Sequence, residues 1–513
     1  MNSARAYPSS LAGLLQLPAI GDLDRAFLLG SDGQEWSARD YQAHVAGAAK
    51  KLRAAGITAG TLVSWQLPTS FDAVVIAGAL ALIGARQNPI LPLYGGRELA
   101  FILDECQPAF FIARNLAGYE EARTRLHHQP QVMEAPPGAF CEHTDDIGAV
   151  EAALDADTVR WIFYSSGTTA NPKGAMHTDG SLIAGAAAMV ERYAFSPQDR
   201  YGMIFPFSHI GGLQMLVAQL LCGASAVLFE RFAGEETFAA MSKLDMTLLS
   251  GGTPAAQLAL AVQRKSPDRI FPRLRAVMTG AAPKPPGLHR ELREELGGIG
   301  SLSCYGMTEA PMGVLTSHDD PEIAKAQTEG SAIPGSEIRI VSLGGKQCAP
   351  GEVGEIRVRG PQVMQGYVDK RLNQGAFDEE GFFGTGDLGS LDQEGFVRVV
   401  GRLKDIIIRK GENISAAEVE DVIARHPEVA EVAAIGLPDP VSGERCCAVL
   451  TLVSQAGELN LEQLARYCLD AGLARFKTPE QLEIVSDMPR NASGKVMKSQ
   501  LVKRFASAED GTP

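Results

Sequence analysis

The chain of 513 residues is 45% hydrophobic, 21% charged and 6% aromatic, an ordinary globular profile that excludes disordered, fibrous and membrane classes. At roughly 100–200 residues per domain, a single small module is excluded too, and about three or four structural units are expected. Lys and Arg number 47 against 61 Asp and Glu, so the formal charge is −14; it repels nucleic acid and anionic membrane surfaces, and no basic patch offsets it.

The N-terminal stretch MNSARAYPSSLAGLLQLPAIGD has no sustained apolar region ahead of a small-residue cleavage site, so it reads as a first helix rather than a secretory signal. Apolar residues then recur at three or four positions in Ser37 to Ala55, Phe71 to Ile83 and Gly180 to Tyr193, the mark of helices. Short apolar or β-branched runs at 61–67, 159–165, 225–232, 246–252 and 274–280 read as strands between them, giving an α/β fold whose helices cover sheets. Two apolar stretches fail as membrane spans: Ala73 to Ala85 is too short, and Tyr201 to Phe229 is broken by Pro206, His209 and Gly211-Gly212. Both are expected in the core. From about Gly335 to Gly401 short strands and turn signals (EIRIVSLGG, GEVGEIRVRG, GFVRVVGR) indicate a small β-rich subdomain.

After Gly401 the charged string RLKDIIIRKGE leads to Ser415 and Glu418, spaced as a capping box for a helix presenting Val419, Val422 and Ile423. Strands near 429–436, 445–453 and 481–486 and helices near 460–471 and 496–505 complete an α+β unit. We therefore place the boundary near residue 402, with a multi-subdomain N-terminal region 1–402 and a smaller C-terminal domain 403–513. The eight scattered cysteines form no CxxC pair and no metal spacing with histidine, so a reducing cytoplasm is the expected compartment.

The strongest local signal is WIFYSSGTTANPKGAMHTD (161–179), in which a strand runs into Ser165, Ser166, Gly167, Thr168 and Thr169, followed by Lys173. Small residues let backbone N–H groups point inward, hydroxyls donate further bonds and the lysine adds charge, so the loop suits a polyphosphate. It is not a P-loop, because Lys173 is preceded by Pro172 and followed by Gly174 and Ala175. A P-loop kinase reading fails on that spacing.

This segment resembles the phosphate loop of the adenylate-forming superfamily, which includes acyl-CoA synthetases, nonribosomal peptide adenylation domains and firefly luciferase. Further resemblances follow in order: FPFSHIGGL (205–213) to the acyl-pocket motif, MTGAAP (278–283), YGMTEA (305–310), GEIRVRGP (354–361), GTGDLG (384–389), GRLKDIIIRKGENISAAEVE (401–420) to the hinge, and PRNASGKVMK (489–498) to the terminal lysine motif. The order spans residues 161 to 498, and the chain is most like an acyl-CoA synthetase.

The resemblance implies ATP, Mg2+ and coenzyme A: a carboxylate attacks the α-phosphorus of ATP, pyrophosphate leaves, and a thiol then displaces AMP from the acyl-adenylate. The implied catalytic residues are Lys495, Glu309, Thr308 and His209, with Glu309 holding the metal. Lys495 would offset repulsion between carboxylate and α-phosphate. ATP or AMP would be bound by Ser165, Ser166, Gly167, Thr168, Thr169, Lys173, Ala281, Tyr305, Gly306, Asp387 and Arg402, with Tyr305 stacking on adenine and Asp387 accepting from the ribose hydroxyls. The acyl pocket would gather His209, Gly211, Gly212, Gly280, Ala281, Met307 and Met312. Lys404 occupies the hinge position of a mobile C-terminal domain, and Lys410, Gly411, Glu412, Arg475 and Lys477 would face CoA.

FPFSHIGG carries no acid to pair a substrate ammonium, which disfavours amino acids and favours a hydrophobic carboxylic acid. The expected partners are therefore a small carboxylic acid or its adenylate and CoA, with no nucleic acid. Two departures stand out: Lys498 where relatives usually have arginine, and Ala170 where most have glycine. If position 170 requires positive φ or close phosphate approach, alanine impairs adenylation, and the chain only transfers a supplied acyl-adenylate to CoA; in an allowed negative φ nothing is lost. A non-catalytic acyl or nucleotide sensor is the rival from another class, opposed by the presence of Glu309 and Lys495.

Overall fold

The computed structural model describes residues 8–16, 22–144, 157–165, 171–282, 284–285, 287–410, 412–453, 459–490 and 496–506. By internal contacts the chain divides into two compact units, one of 1–338, 358–383 and 394–397, the other of 339–357, 384–393 and 398–513. Strands alternate with helices through the first unit, as the sequence rhythm predicts.

Two sheets organise the first unit. One has the strand order 366–367, 173–178, 159–165, 86–89, 62–66, 110–113, 131–134, parallel from 159–165 onward and antiparallel at the other end. In the second, strands 301–307, 276–280, 248–249, 200–203, 225–228 and 26–30 run parallel, flanked by antiparallel 310–315 and 35–37. Parallel strands need helical crossovers, and burial on both faces explains their continuous apolar runs.

Helix Phe71–Ile83 shows how sequence sets an element. Ser70 Oγ accepts from Ala73 N at its start, and Gly84 at φ 78° stops it in the left-handed conformation that glycine adopts without strain. Twelve of its residues are buried, so it is apolar all round. The run expected between Tyr201 and Phe229 resolves into strand Arg200–Met203, helix Ile210–Cys222 and strand Ser225–Leu228. Both stretches lie in the core, and no helix among the described residues is long and apolar enough to cross a membrane. The expected first helix is Leu11–Gln16. It is pinned through its Leu11 N–H to Asp179 Oδ2 at 3.0 Å, while Trp161 Nε1 donates to Oδ1 of the same buried carboxylate at 2.7 Å.

The strand expected over 246–252 is only Leu248–Leu249, because Gly251 and Gly252 take φ of 105° and 76° and turn the chain into helix Gly252–Gln263. The run 225–232 ends as a strand at Leu228, ahead of the exposed Glu230 and Arg231.

In the second unit, Val429–Asp439 and Gly443–Leu452 form a long antiparallel pair, and the other edge of the latter takes Ile406–Arg409 antiparallel at its start and Gln481–Ile484 parallel further on. Alternation at period two splits the apolar residues between faces: Ala434, Cys446, Ala448 and Leu450 meet Val419, Ile423, Leu464 and Cys468, whereas Ile435, Cys447 and Val449 meet Leu501 and Phe505. Ser415 caps helix Ala416–Ile423 by accepting from Glu418 N; the expected reciprocal half of the box is replaced, since both Glu418 carboxylate oxygens accept from Lys477 Nζ at 2.7 Å. All eight cysteines are free.

Candidate active site

Strand Val159–Ser165 buries Trp161, Ile162, Phe163 and Tyr164 and pairs antiparallel with Lys173–Thr178, the last pair being Ser165 with Lys173. The expected phosphate loop thus joins two adjacent strands of one sheet, with its hydroxyl and its lysine facing each other at the mouth. Ser166, Gly167, Thr168, Thr169 and the departure Ala170 lie outside the described residues. Gly174 is required by packing: a Cβ there would lie 2.8 Å from the Tyr164 ring and 3.0 Å from Val368. Tyr164 donates its hydroxyl proton to Glu105 Oε2 at 2.7 Å, and burial pushes both groups' pKa upward.

Thr308 and Glu309 form the turn between strands Ser301–Met307 and Ala310–Leu315. Gly306 permits that turn, since a Cβ would sit 2.7 Å from Met312 N and 2.9 Å from Ala310 O. Glu309 is only 8% exposed. Its Oε1 accepts from Ser165 Oγ at 3.3 Å and from the Tyr367 hydroxyl at 2.9 Å, and its backbone oxygen accepts from Met364 N at 2.8 Å. Burial, then the Glu309 charge, drives the Tyr367 phenol well above its usual range, so it remains a donor. Lys173 Nζ lies 5.6 Å from the centre of the same Tyr367 ring.

Thr308 O accepts from His177 Nε2 at 2.8 Å, and His177 Nδ1 lies 3.0 Å from Ser181 Oγ at the start of helix Asp179–Arg192. Nε2 faces a carbonyl oxygen and so carries the ring proton. Burial holds the imidazole neutral, with its pKa lowered to about 4, against a smaller opposing effect of the Thr308 bond. His177 thus ties the strand after the loop to the Thr308–Glu309 turn.

Oε2 of Glu309 takes no bond from the described residues, and no group of three or more His, Cys, Asp or Glu able to hold a metal occurs among them. A single hard carboxylate oxygen beside Ser165 and Lys173, the ends of the expected phosphate loop, fits Mg2+, which binds through one or two carboxylates, substrate phosphates and water. It does not fit zinc, which needs a fuller protein ligand set.

His209 is the N-cap of helix Ile210–Cys222, its Nδ1 accepting from Gly211 N at 3.1 Å and its ring exposed. Gly212 abuts Phe207 so closely that a Cβ would collide with its carbonyl oxygen. Gly280 pairs with Cys304 at the end of strand Ala276–Gly280, and a Cβ on it would lie 2.6 Å from Cys304 O. Ala281 follows at φ 62° and Met312 sits at φ 51°, two side-chain-bearing residues held in the left-handed region. Cys304 Sγ is 3.0 Å from Met312 Sδ, and burial pushes its thiol up to about 12. Tyr305, Met307 and Thr308 are half-buried and Gly306 is exposed. The first unit thus assembles Ser165, Lys173, Thr308 and Glu309 at one corner, with Tyr305 and Gly306 on the same hairpin and Gly280 and Ala281 at the end of the neighbouring strand.

The second unit holds its own set. Asp387 is 5% exposed, pairs with Arg402 Nε at 2.9 Å, and its N–H donates to Thr385 Oγ1 at 3.1 Å, with Gly386 turning at φ 69°. Lys404 is exposed in the short turn Leu403–Asp405. Lys410 at φ 50° donates its backbone N–H to Ser442 O at 2.7 Å; its side chain, Glu412 and Arg475 are exposed, whereas Lys477 is engaged by Glu418. Lys498 pairs with Glu420 at 2.7 Å. Gly411 and Lys495 lie outside the described residues.

Three polar side chains on these elements escape the motif reading. Tyr367 is an isolated tyrosine in MQGYVDK, and His177 passes for a strand residue. Gln214 reads as one polar interruption of a core helix.

A family model described as AMP-binding enzyme matches residues 19–368, and one described as AMP-binding enzyme C-terminal domain matches 418–495. The chain is 32% identical to the medium-chain fatty-acid–CoA ligase of Escherichia coli (strain K12), over 96% of this chain and 90% of that one. Its fold is similar to that of ATP-bound MatB from Rhodopseudomonas palustris, with TM-score 0.88 and 27% identity over 98% of this chain and 99% of that one. O-succinylbenzoate coenzyme A synthetase (MenE) from Bacillus subtilis, in complex with ATP and magnesium ion, is similar with TM-score 0.83 and 28% identity over 97% and 99%.

Proposed function

This chain belongs to the AMP-binding enzyme family and is an AMP-forming carboxylic acid–CoA ligase, and from that premise we propose that it runs both half-reactions on a largely apolar acid. The observation that carries the reading is the Glu309 corner: a buried carboxylate, held by Ser165 and Tyr367 through one oxygen, leaves the other for a metal beside the loop closed by Lys173. ATP, Mg2+ and CoA are its cofactor and co-substrates.

The substrate carboxylate attacks the α-phosphorus; the new C–O–P linkage forms as the bond to pyrophosphate breaks. Ser165 to Thr169 and Lys173 cradle the leaving phosphates. Mg2+ held at Glu309 would supply positive charge to them. Tyr305 offers a ring face to adenine beside Gly306 and Ala281, and Asp387 accepts from the ribose hydroxyls while Arg402 holds that carboxylate in place. Lys495 bridges carboxylate and α-phosphate, where a cation stabilises the charge gathering at phosphorus. In the second half-reaction a thiol attacks the acyl carbonyl, AMP leaves and a thioester forms. The C-terminal domain, beginning near residue 402 with Lys404 as its hinge, then replaces Lys495 by the Lys410, Gly411 and Glu412 face, and Arg475 and Lys477 supply charge for the CoA nucleotide.

The acyl pocket is built from Gly211, Gly212, Gly280, Ala281, Met307 and Met312 with His209 at its entrance. Ala170 is the observation favouring a second reading, in which adenylation is impaired and only a supplied acyl-adenylate is used. The test is incubation with ATP, Mg2+, CoA and a panel of linear, alicyclic and aromatic acids. Acyl-CoA, AMP and pyrophosphate in equal amounts are expected. Turnover left unchanged by Lys495→Ala would contradict the assignment.

A further inference from the structure

Helix Ile210–Cys222 carries two glutamines that are both fully buried, Gln214 at 0% and Gln219 at 1% exposure. Gln219 is fully used: Nε2 donates to Phe27 O at 3.1 Å and Ala224 O at 3.4 Å, and Oε1 accepts from the Tyr201 hydroxyl at 2.9 Å. Gln214 has no hydrogen-bond partner among the described residues at either Nε2 or Oε1. Buried amides are almost always paired, so an unpaired one on the same helix points to a partner supplied from outside the chain.

The neighbours locate that partner. On helix Asp179–Arg192 the residue facing the Gln214 amide is Gly185; a Cβ there would collide with Nε2 and would lie 3.5 Å from Met312 Cβ. Gln214 therefore sits beside Met312, whose thioether in turn touches Cys304. Within its own helix it follows Ile210 by one turn, on the edge shared with Gly211. Met312 and Gly211 are acyl-pocket residues of the proposed function, so the amide borders that proposed pocket. It is about 7.5 Å along the helix axis from the His209 cap, the reach of roughly six carbon atoms. Gly185, Met312 and Cys304, the side chains around the amide, carry no charge of their own, so nothing beside it is built to pair an ion. A neutral group fits: Nε2 can donate to a keto or hydroxyl oxygen, and Oε1 can accept a hydroxyl proton.

We propose that Gln214 is a specificity-determining residue that reads a neutral oxygen function, hydroxyl or keto, carried on the acyl chain of an otherwise apolar carboxylic acid. The inference rests on the acyl-CoA ligase reading above. Gly185 is then the residue that leaves the amide room. A site that hydrogen-bonds a substrate oxygen discriminates strongly against the analogue lacking it, because its own amide is left unpaired.

The experiment compares kcat/KM for pairs of acids of equal chain length, unsubstituted or bearing a hydroxyl or keto group at successive positions, in the full-length wild type and in Gln214→Leu. The wild type is expected to prefer an oxygenated acid by at least about tenfold, with the optimum near the sixth carbon. Gln214→Leu is expected to bring the pair within about twofold, gaining on the plain acid and losing on the oxygenated one, with KM for ATP unchanged. A wild type that turns over plain acids as well as or better than every oxygenated partner overturns the inference and leaves the ligase reading standing. Failure to form acyl-CoA from any acid overturns both. The wild-type ratio needs no variant, so a Gln214→Leu protein that fails to fold does not rescue the proposal.

Discussion

Glu309 and the second-unit charges proposed to face CoA occupy contrasting surroundings. Glu309 is buried, and Ser165 and Tyr367 fix the carboxylate while Met364 and His177 hold the backbone of its turn. Lys404, Lys410, Glu412 and Arg475 are exposed on turns and hairpin ends. A fixed, desolvated carboxylate is ready before substrate arrives and acts on the chemical step; a solvated charge contributes mainly by engaging a ligand. Substitutions at the corner should therefore lower kcat, and substitutions among the exposed charges should raise KM for CoA.

The largest effect is expected from Glu309→Gln, which removes the charge proposed to hold Mg2+ but keeps the shape. Adenylation kcat should fall by about 10²–10³-fold while KM for the acid stays nearly constant, as read in single-turnover quench assays. A drop no larger than that from an exposed lysine would erase the contrast. Next comes acid sensitivity through His177, whose pKa is about 4 when folded against 6.5 for the free side chain. Between those values the unfolded chain binds more protons, so stability is lost as pH falls from 6.5 towards 4, by about 2 kcal/mol between pH 7 and pH 5. Urea unfolding at both pH values should show that loss in the wild type and lack this share of it in His177→Gln.

Tyr367→Phe deletes only the hydroxyl that donates to Glu309 Oε1, a bond to a charged acceptor. About a tenfold loss in kcat for adenylation is expected, with transfer from a supplied acyl-adenylate less affected. The smallest effect belongs to Lys477→Ala. Its ion pair with Glu418 is partly exposed and contributes at most about 1 kcal/mol, so the melting temperature should barely move while KM for CoA rises about threefold. A kcat effect there larger than that of Tyr367→Phe would invert the comparison.

Much of this was legible because local chemistry dictates local form. Ser70 and Gly84 bracket an apolar run and end a helix where the sequence reading ends it, and Ser415 starts another. Asp387 and Arg402 stand in motifs whose turns position them. What escaped depends on distant encounters. Tyr367 meets Glu309 across 58 residues of sequence and His177 meets Thr308 across 131, and neither has a local pattern that distinguishes it from a core residue. Glu418 looked like half of a capping box, but Lys477, 59 residues away, takes its carboxylate. Gln214 and Gln219 are alike in sequence; only packing shows that one is paired and the other is not.

The central claim, that this chain makes its own acyl-adenylate before thioester formation, is tested most directly by acid-dependent exchange of labelled pyrophosphate into ATP without CoA. The account predicts robust exchange with an apolar or oxygenated acid, abolished in Glu309→Gln and Lys495→Ala. No exchange with any acid, alongside acyl-CoA formation from a supplied acyl-adenylate, would contradict it and assign the chain to transfer alone.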